Sequence, residues 1–310
     1  MSRLPLLIVL AVLVLAAASG CAPAAPPASP SEAPPTALPQ PTSPPQPTAP
    51  SAPSPVALPG VEVIPLESMD TTIPWLPLDT TARPSTYFYL FNLSRQPFSN
   101  VLVREAFAAA TDRDSLVAVA QDHGAANAAP ATTVTPSQTL GRDLFGEVGV
   151  PFNPARARQA LDDAGYTDRN SFPPVTLLTS LGQAANPTFN TAIAEKMAEM
   201  WRLYLGVDVT VEVLESKYFN RITNDPGDVF SWGWGADYND PDDFLHLVFH
   251  SRSENNINHF SLAEFDALVD QAATIQDPAE RQALYVEAER LLTEESVALI
   301  PVFHSTVNVP

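Results

Sequence analysis

A long proline-rich stretch limits how much of this chain can fold. Residues 22–60 consist largely of Pro, Ala, Ser and Thr, and Glu32 is their only charged residue. Such a composition has too few bulky apolar side chains to offset the entropy that is lost on folding. We therefore predict a disordered tether over residues 22–60 and a folded part over residues 61–310. About 250 residues suffice for one large domain or two small ones.

The first 21 residues have the layout of a secretory signal. Arg3 supplies a positive start, residues 6–17 form an apolar run, and Ala18-Ser19-Gly20-Cys21 is a small-residue exit. The apolar run is too short to span a bilayer comfortably. The exit resembles a bacterial lipobox, which predicts that Cys21 carries lipid as the first mature residue; an ordinary signal peptide with an incidental cysteine is the alternative. We expect the chain outside the cytoplasm, lipid-anchored to the membrane.

The folded part carries nearly all of the charge. The formal net charge of the chain is −19, and Lys196 and Lys217 are its only lysines. An acidic surface disfavours binding to nucleic acid and to anionic lipid. It mildly favours cationic or zwitterionic ligands, although solubility alone would also explain it.

Hydrophobic periodicity predicts helices that alternate with strands. Predicted strands cover residues 86–93, 175–179, 207–214, 228–234 and 299–304. Helix starts are predicted at Ser99 or Asn100, Asp112 or Asp114, Asn153, Ser261 and Asp277, where short polar side chains precede apolar repeats. Residues 123–150 are interpreted as a long surface excursion. This alternation predicts an α/β domain with a mixed sheet.

Aromatic and acidic residues gather in residues 230–244. Trp232, Trp234 and Tyr238 accompany four carboxylates, and a predicted strand delivers them to a loop. Aromatic walls around a few fixed charges are typical of a small-ligand site. Asp242 and Asp243 precede an apolar turn and are interpreted as residues of a helix start. Asp237 comes before the turn proper, so a helix start does not explain it.

Other kinds of chemistry have little support in the sequence. There is no phosphate-binding Gly-rich loop, no HExxH or CxxC motif and no Gly-x-Ser-x-Gly elbow. A glycosidase would need a pair of carboxylates, for which Asp237 and Asp240 are the candidates. Their spacing in the chain does not determine the distance between them in space. His246 and His250 share a face if residues 244–250 are helical, yet histidines in that pattern are more often structural than metal-ligating. We predict no catalytic residue, no cofactor and no metal.

Several motifs in order resemble the C-terminal lobe of the family 5 solute-binding proteins, the extracytoplasmic receptors of peptide, dipeptide and nickel ABC importers. The motifs are NLSRQPFSNVLVREAFAAATDRDSL (92–116), NPARARQALDDAGY (153–166), residues 206–213, GWGADYNDPDDF (233–244), FSLAEFD (260–266) and residues 277–304 with AER and IPVFH. The resemblance implies one lobe of the type II periplasmic-binding-protein fold. It also implies a non-enzymatic receptor whose partners are a peptide or similar amine-bearing solute and an ABC permease.

In peptide-binding members of that family an Asp in a Trp-x-x-Asp-Tyr context binds the α-ammonium of the ligand, and Asp237 after Trp234 matches it. Trp232, Trp234 and Tyr238 are then expected near the ligand. Family members close a first lobe over the ligand, whereas here the tether precedes the matched region. A second chain that supplies this lobe is therefore one expectation. The alternative is a scaffold or relic lobe that binds a partner protein and no solute.

Overall fold

The computed structural model describes residues 82–136, 145–182 and 186–308. The predicted signal sequence, lipidation at Cys21 and tether lie outside these residues. In chain order the elements are β1 (Ala82–Phe91), α1 (Val101–Ala109), α2 (Arg113–Asp122), β2 (Ala129–Pro130), α3 (Pro154–Asp163), β3 (Val175–Ser180), α4 (Phe189–Leu205), β4 (Val209–Leu214), α5 (Tyr218–Asn224), β5 (Val229–Gly235), α6 (Pro241–Phe249), α7 (Ala263–Ala272), α8 (Pro278–Arg290) and β6 (Leu299–Asn308).

The six strands form one mixed sheet in the order β2-β6-β1-β5-β3-β4. β1 lies between β5 and β6 and is antiparallel to both, whereas β3 is parallel to β4 and to β5. The helix α4 joins β3 to β4, because two parallel neighbours need a crossover connection. The structure therefore confirms the prediction of an α/β fold with a mixed sheet flanked by helices.

Helices cover both faces of the central strands. Successive residues of a strand point to opposite faces. The side chains of β1 therefore contribute to two hydrophobic cores, one on each face of the sheet. Tyr89 and Phe91 pack with α1 to α4, whereas Phe88 and Leu90 pack with α6 to α8. Trp201 of α4 is fully buried, and its Nε1 donates to the Phe107 carbonyl at 3.0 Å. Truncating such a residue costs about 3 to 5 kcal/mol, so Trp201 firmly joins α4 to α1.

Most of the predicted helix starts are confirmed. The side chains of Asn100, Asp112, Asn153 and Asp277 each accept a backbone N–H of the following first turn, which satisfies a donor that a helix start otherwise leaves free. The prediction for Ser261 was wrong, because α7 begins after Leu262 and has no side-chain cap. Val101, the first residue of α1, is 38% exposed, although the apolar repeat of this helix suggests an inward position.

The interpretation of residues 123–150 as a surface excursion was also wrong in part. β2 pairs with β6, and Val134 and Thr135 are fully buried. The carboxylate of Glu289 on α8 accepts the N–H of Val134 at 2.5 Å and the N–H and hydroxyl of Thr135 at 3.2 and 2.7 Å. These acceptors satisfy backbone donors that burial would otherwise leave unpaired. A side chain 154 to 155 residues away therefore allows this segment to enter the core.

Candidate functional site

An open cavity of about 940 Å³ lies over the middle of the sheet. Its walls come from the first half of β1, the second half of β5, the loop after α2, the start of α4 and Tyr218 of α5. A cavity of this size suits a small ligand or a short peptide. Among the described residues that line it there is no Lys, Arg, Asp or Glu, so the cavity itself is neutral when His123 is neutral.

The cavity exists because two neighbouring strands separate. β3 and β5 pair only at Leu177↔Val229 and Leu178↔Phe230. Beyond these pairs the Tyr218 hydroxyl lies between the strands, 2.5 Å from the Ser231 carbonyl and 3.3 Å from the Leu178 carbonyl. Burial raises the pKa of Tyr218, so its hydroxyl stays protonated and donates. Within the described part of the chain, the second half of β5 therefore has one edge without a strand partner.

The backbone groups of two glycines point toward this free edge. Ala236 N donates to Pro84 O at 2.8 Å, which makes these residues a hydrogen-bonded pair of the antiparallel β1–β5 ladder. Such pairs alternate with pairs whose backbone groups point away from the partner strand. Gly233 and Gly235 occupy the alternate positions, as does Ser231, whose carbonyl accepts a hydrogen bond from the Tyr218 hydroxyl on that side. The N–H and C=O groups of Gly233 and Gly235 therefore face away from β1, beside the cavity that both residues line.

Aromatic side chains surround the free edge. Trp232 and Trp234 line the cavity, and the ring centroid of Trp232 lies 5.8 Å from that of Phe219. On the β1 and β6 side, Tyr87 stacks on Phe303 at 5.1 Å with an interplanar angle of 4°. Flat aromatic surfaces of this kind offer apolar area at little cost in conformational entropy. Both sides of the cavity can therefore contact apolar ligand side chains.

Asp237 lies two residues beyond Gly235, at the end of the free edge. Its side chain is 61% exposed and its Oδ1 is 3.4 Å from Nη1 of Arg83, which is 37% exposed. Asp237 does not line the cavity itself. An exposed ion pair contributes about 1 kcal/mol or less, so a ligand ammonium can displace Arg83 from this carboxylate.

Tyr238 points into a network on the helical side of the loop. Its hydroxyl donates to Asp242 at 2.7 Å, and Tyr285 donates to the other oxygen of Asp242 at 3.0 Å. Asp240 caps α6, and its two carboxylate oxygens accept hydrogen bonds from both terminal nitrogens of Arg281, at 2.5 and 2.8 Å. Tyr238 does not line the cavity. Tyr238 therefore belongs to the network that holds the loop in place. It does not lie beside Trp232 and Trp234 in the cavity wall, where it was predicted to bind a ligand.

Asp243 has a role that its position in the helix start did not predict. It lies in the first turn of α6, as interpreted, but its side chain is fully buried. Its Oδ2 accepts the Trp234 indole N–H at 2.9 Å and the Asp237 backbone N–H at 3.2 Å. Burial raises the pKa of the Asp243 carboxyl to about 6, although these two hydrogen bonds oppose the rise. The Asp243 carboxylate therefore binds both Trp234, near the end of β5, and Asp237, in the loop that follows.

Comparison with known proteins places the chain in a family. Residues 48–256, about two thirds of the 310 residues, match the family profile described as bacterial extracellular solute-binding proteins, family 5 middle. The chain belongs to this family. The periplasmic oligopeptide-binding protein OppA of Salmonella typhimurium is 33% identical over 230 residues, which is 71% of this chain and 39% of OppA. The probable deoxycholate-binding periplasmic protein YgiS of Escherichia coli is 31% identical over 227 residues, 72% of this chain and 40% of YgiS.

A solved structure shows the same fold. The murein tripeptide binding protein MppA of Escherichia coli matches with a TM-score of 0.63 and 29% identity, over 74% of this chain and 44% of MppA. This family 5 chain spans about two fifths of the length of the curated relatives. Family 5 proteins bind solutes and are not enzymes.

His246 on α6, His250 directly after α6 and Asp270 on α7 form a cluster in this family 5 chain. One ligand atom from each lies within 4.8 Å of the others, a spacing that a metal ion would accept. His250 Nδ1, however, accepts the backbone N–H of Arg252 at 3.0 Å. His250 Nε2 lies 3.4 Å from Asp270 and 3.3 Å from the guanidinium of Arg252, which also pairs with Asp270 at 3.3 Å. A positive charge therefore already contacts the cluster, which disfavours a metal ion there.

None of the described helices combines the length and the apolar character that crossing a bilayer requires.

Proposed function

We propose that this chain is a peptide-binding lobe of an ABC importer and that it binds peptides by extending its own sheet. The observation that carries the proposal is the free edge of β5, which ends at a carboxylate. An extended peptide can add to an exposed strand edge through its backbone, while its side chains enter neighbouring pockets. Relatives named for oligopeptides and for a murein tripeptide support the same substrate class.

The direction of the bound peptide follows from the position of Asp237. Gly233 and Gly235 offer backbone donors and acceptors, and Asp237 lies two residues farther along the chain, about 7 Å at the rise of a strand. A peptide whose α-ammonium meets Asp237 therefore pairs its first residues with Gly235 and Gly233, and it runs antiparallel to β5. The neutral cavity leaves Asp237 as the nearby group whose charge can select this end of the peptide.

Alternate side chains of such a peptide would face different surroundings. One set would meet Trp232 and Trp234, and the other would meet the stacked pair of Tyr87 and Phe303. Backbone pairing is independent of peptide sequence, and flat aromatic surfaces accept many side chains. We therefore propose a broad preference for short peptides with apolar residues near the amino end.

The domain organisation is part of the same proposal. Residues 61–310 would be the C-terminal lobe, residues 22–60 a tether and Cys21 the site of lipid attachment, so that the receptor stays outside the cytoplasm beside its permease. Relatives described as periplasmic support this location. A first lobe, from a second chain or from elsewhere in the same protein, would close over the free edge and exclude water from the ammonium contact.

Calorimetric titration of the full chain with Ala-Phe-Ala tests the ammonium contact. A hydrogen bond to a charged group contributes about 1.5 to 3 kcal/mol, so Asp237→Asn should weaken binding by about 10- to 100-fold. Asp225→Asn is the matched control, because Asp225 is 59% exposed and also pairs with an arginine. N-acetylated Ala-Phe-Ala should bind the wild type and Asp237→Asn equally weakly. Equal binding of the free peptide to the wild type and Asp237→Asn would contradict the proposed anchor.

A scaffold that binds a protein partner is the second candidate function. Phe219 is 59% exposed and Leu181 is 41% exposed, and both lie next to residues that line the cavity. Exposed apolar side chains at a rim favour association with another surface. Native mass spectrometry of the lipoprotein, extracted gently from its own membrane, separates the two. A retained small solute supports the receptor, whereas a stable complex with a second protein that binds no peptide supports the scaffold.

A further inference from the structure

Asp243 connects the two parts of the peptide site that the proposed function uses. Trp234 is on the strand that forms the free edge, and Asp237 is in the loop that follows it. Both donate to the same oxygen of Asp243, through the Trp234 indole and the Asp237 backbone. The Asp237 side chain has no other described contact than the exposed pair with Arg83. The hydrogen bond from the Asp237 backbone N–H to Asp243 is therefore the described contact that ties this residue to a buried group.

The other oxygen of Asp243 makes this carboxylate sensitive to protons. Oδ1 is buried and has no hydrogen-bond partner among the described residues. A buried anionic oxygen without a donor is unfavourable, and a bound proton would relieve the cost. The position of Asp243 in the first turn of α6 acts in the opposite direction, since a helix N-terminus favours negative charge. Asp243 is thus balanced between its two protonation states.

We propose that Asp243 is a positioning residue for ligand binding: its carboxylate orients Trp234 and Asp237, and its negative charge strengthens the attraction of the strand end for the ligand ammonium. The proposal rests on the proposed function, because it assumes that Asp237 receives an ammonium. It adds that affinity follows the protonation of Asp243. Burial places the pKa of Asp243 at about 6, so the change falls between pH 7 and pH 5.

Several charged groups surround Asp243. From the loop, Asp237 faces it and is paired with Arg83. From its own helix, Asp242 faces it. Asp237 and Asp242 both raise the pKa of Asp243, after the larger effect of burial.

A second group of polar residues contacts Asp242. Its oxygens accept hydrogen bonds from Tyr238 and Tyr285 and contact His246 Nδ1 at 3.3 Å. Asp240 is paired with Arg281 through both oxygens. A His246→Gln variant separates the contribution of this histidine from that of Asp243.

The first experiment needs no ligand. In the ¹⁵N-labelled full chain, the indole N–H resonance of Trp234, assigned by its loss in Trp234→Phe, should shift with pH with a midpoint near 6. The shift should disappear in Asp243→Asn, which keeps the shape of the side chain, and should persist in His246→Gln. A Trp234 resonance that does not respond between pH 5 and pH 8 would overturn the proposal, and this result does not depend on the folding of Asp243→Asn.

The second experiment measures Ala-Phe-Ala binding between pH 7 and pH 5, where the peptide α-ammonium stays protonated. If bound ammonium lowers the pKa of Asp243 by one unit, wild-type affinity falls about fivefold between pH 7 and pH 5, and about tenfold in the limit of full protonation. Asp243→Asn should bind about tenfold more weakly at pH 7 and show a flat profile, while the surface control Asp163→Asn should follow the wild type. Equal pH profiles of the wild type and Asp243→Asn would overturn the role of Asp243 and leave peptide binding intact. No binding at any pH would instead refute the proposed function together with this role.

Discussion

Replacing Glu289 with Gln should remove a pH dependence from the stability of the folded part. Glu289 is fully buried and accepts three hydrogen bonds from the Val134 and Thr135 segment. Burial nevertheless raises the pKa of its carboxyl from 4.5 to about 7, because these bonds only partly replace the lost hydration. The group therefore binds its proton more tightly in the folded chain than in the unfolded chain.

The sign and size of the effect follow from this difference. A raised pKa in the folded state gives stability that is fully present below pH 4.5 and is lost as the pH rises through about 7. The rise of about 2.5 units corresponds to about 3 kcal/mol at 1.36 kcal/mol per unit, of which about 2 to 3 kcal/mol falls between pH 5 and pH 8. In Glu289→Gln this contribution is absent at every pH.

Urea unfolding at pH 5, 6, 7 and 8, followed by tryptophan fluorescence, measures the contribution. The free energy of unfolding of the wild type minus that of Glu289→Gln should fall by about 2 to 3 kcal/mol from pH 5 to pH 8. Glu280→Gln is the control, since it removes an exposed carboxylate from the same helix. Parallel pH profiles of the wild type and Glu289→Gln would refute the argument that burial outweighs the three hydrogen bonds.

Two further predictions concern the cavity. Tyr218→Phe removes the hydroxyl between β3 and β5 and should lower the free energy of unfolding by about 1 to 3 kcal/mol, because the Ser231 carbonyl loses its donor; an unchanged urea midpoint, with Thr223→Val as a surface control, would argue against this role. Ala-Phe-Ala with an amidated C-terminus should bind within about threefold of the free acid, since no Lys or Arg lines the described cavity. A strong preference for the free acid in competition calorimetry would show that a cation outside this lining contacts the carboxylate.

Local sequence signals predicted most elements of the fold, and they did so for an identifiable reason. Asn153 followed by Pro154 marks a helix start, and Gly206 marks a helix end with a backbone φ of 71°, which glycine adopts without steric cost. Such signals depend on contacts within one turn of chain. The prediction at Ser261 was wrong because the same residue pattern also occurs in extended chain just before a helix, and α7 begins one residue later than it suggests.

The sequence alone predicts an α/β domain with a mixed sheet, and it predicts that aromatic and acidic residues lie together at the end of one strand. Tertiary contacts establish which acidic residue is buried and where a strand edge is free. Asp243 and Glu289 are neighbours of other polar residues in the sequence, and their burial depends on Trp234 and on Val134, respectively. The free edge depends on Tyr218, which separates two strands. The contacts that set burial and pairing join residues 9 to 155 positions apart, which is beyond the span of a single helical turn or strand pattern.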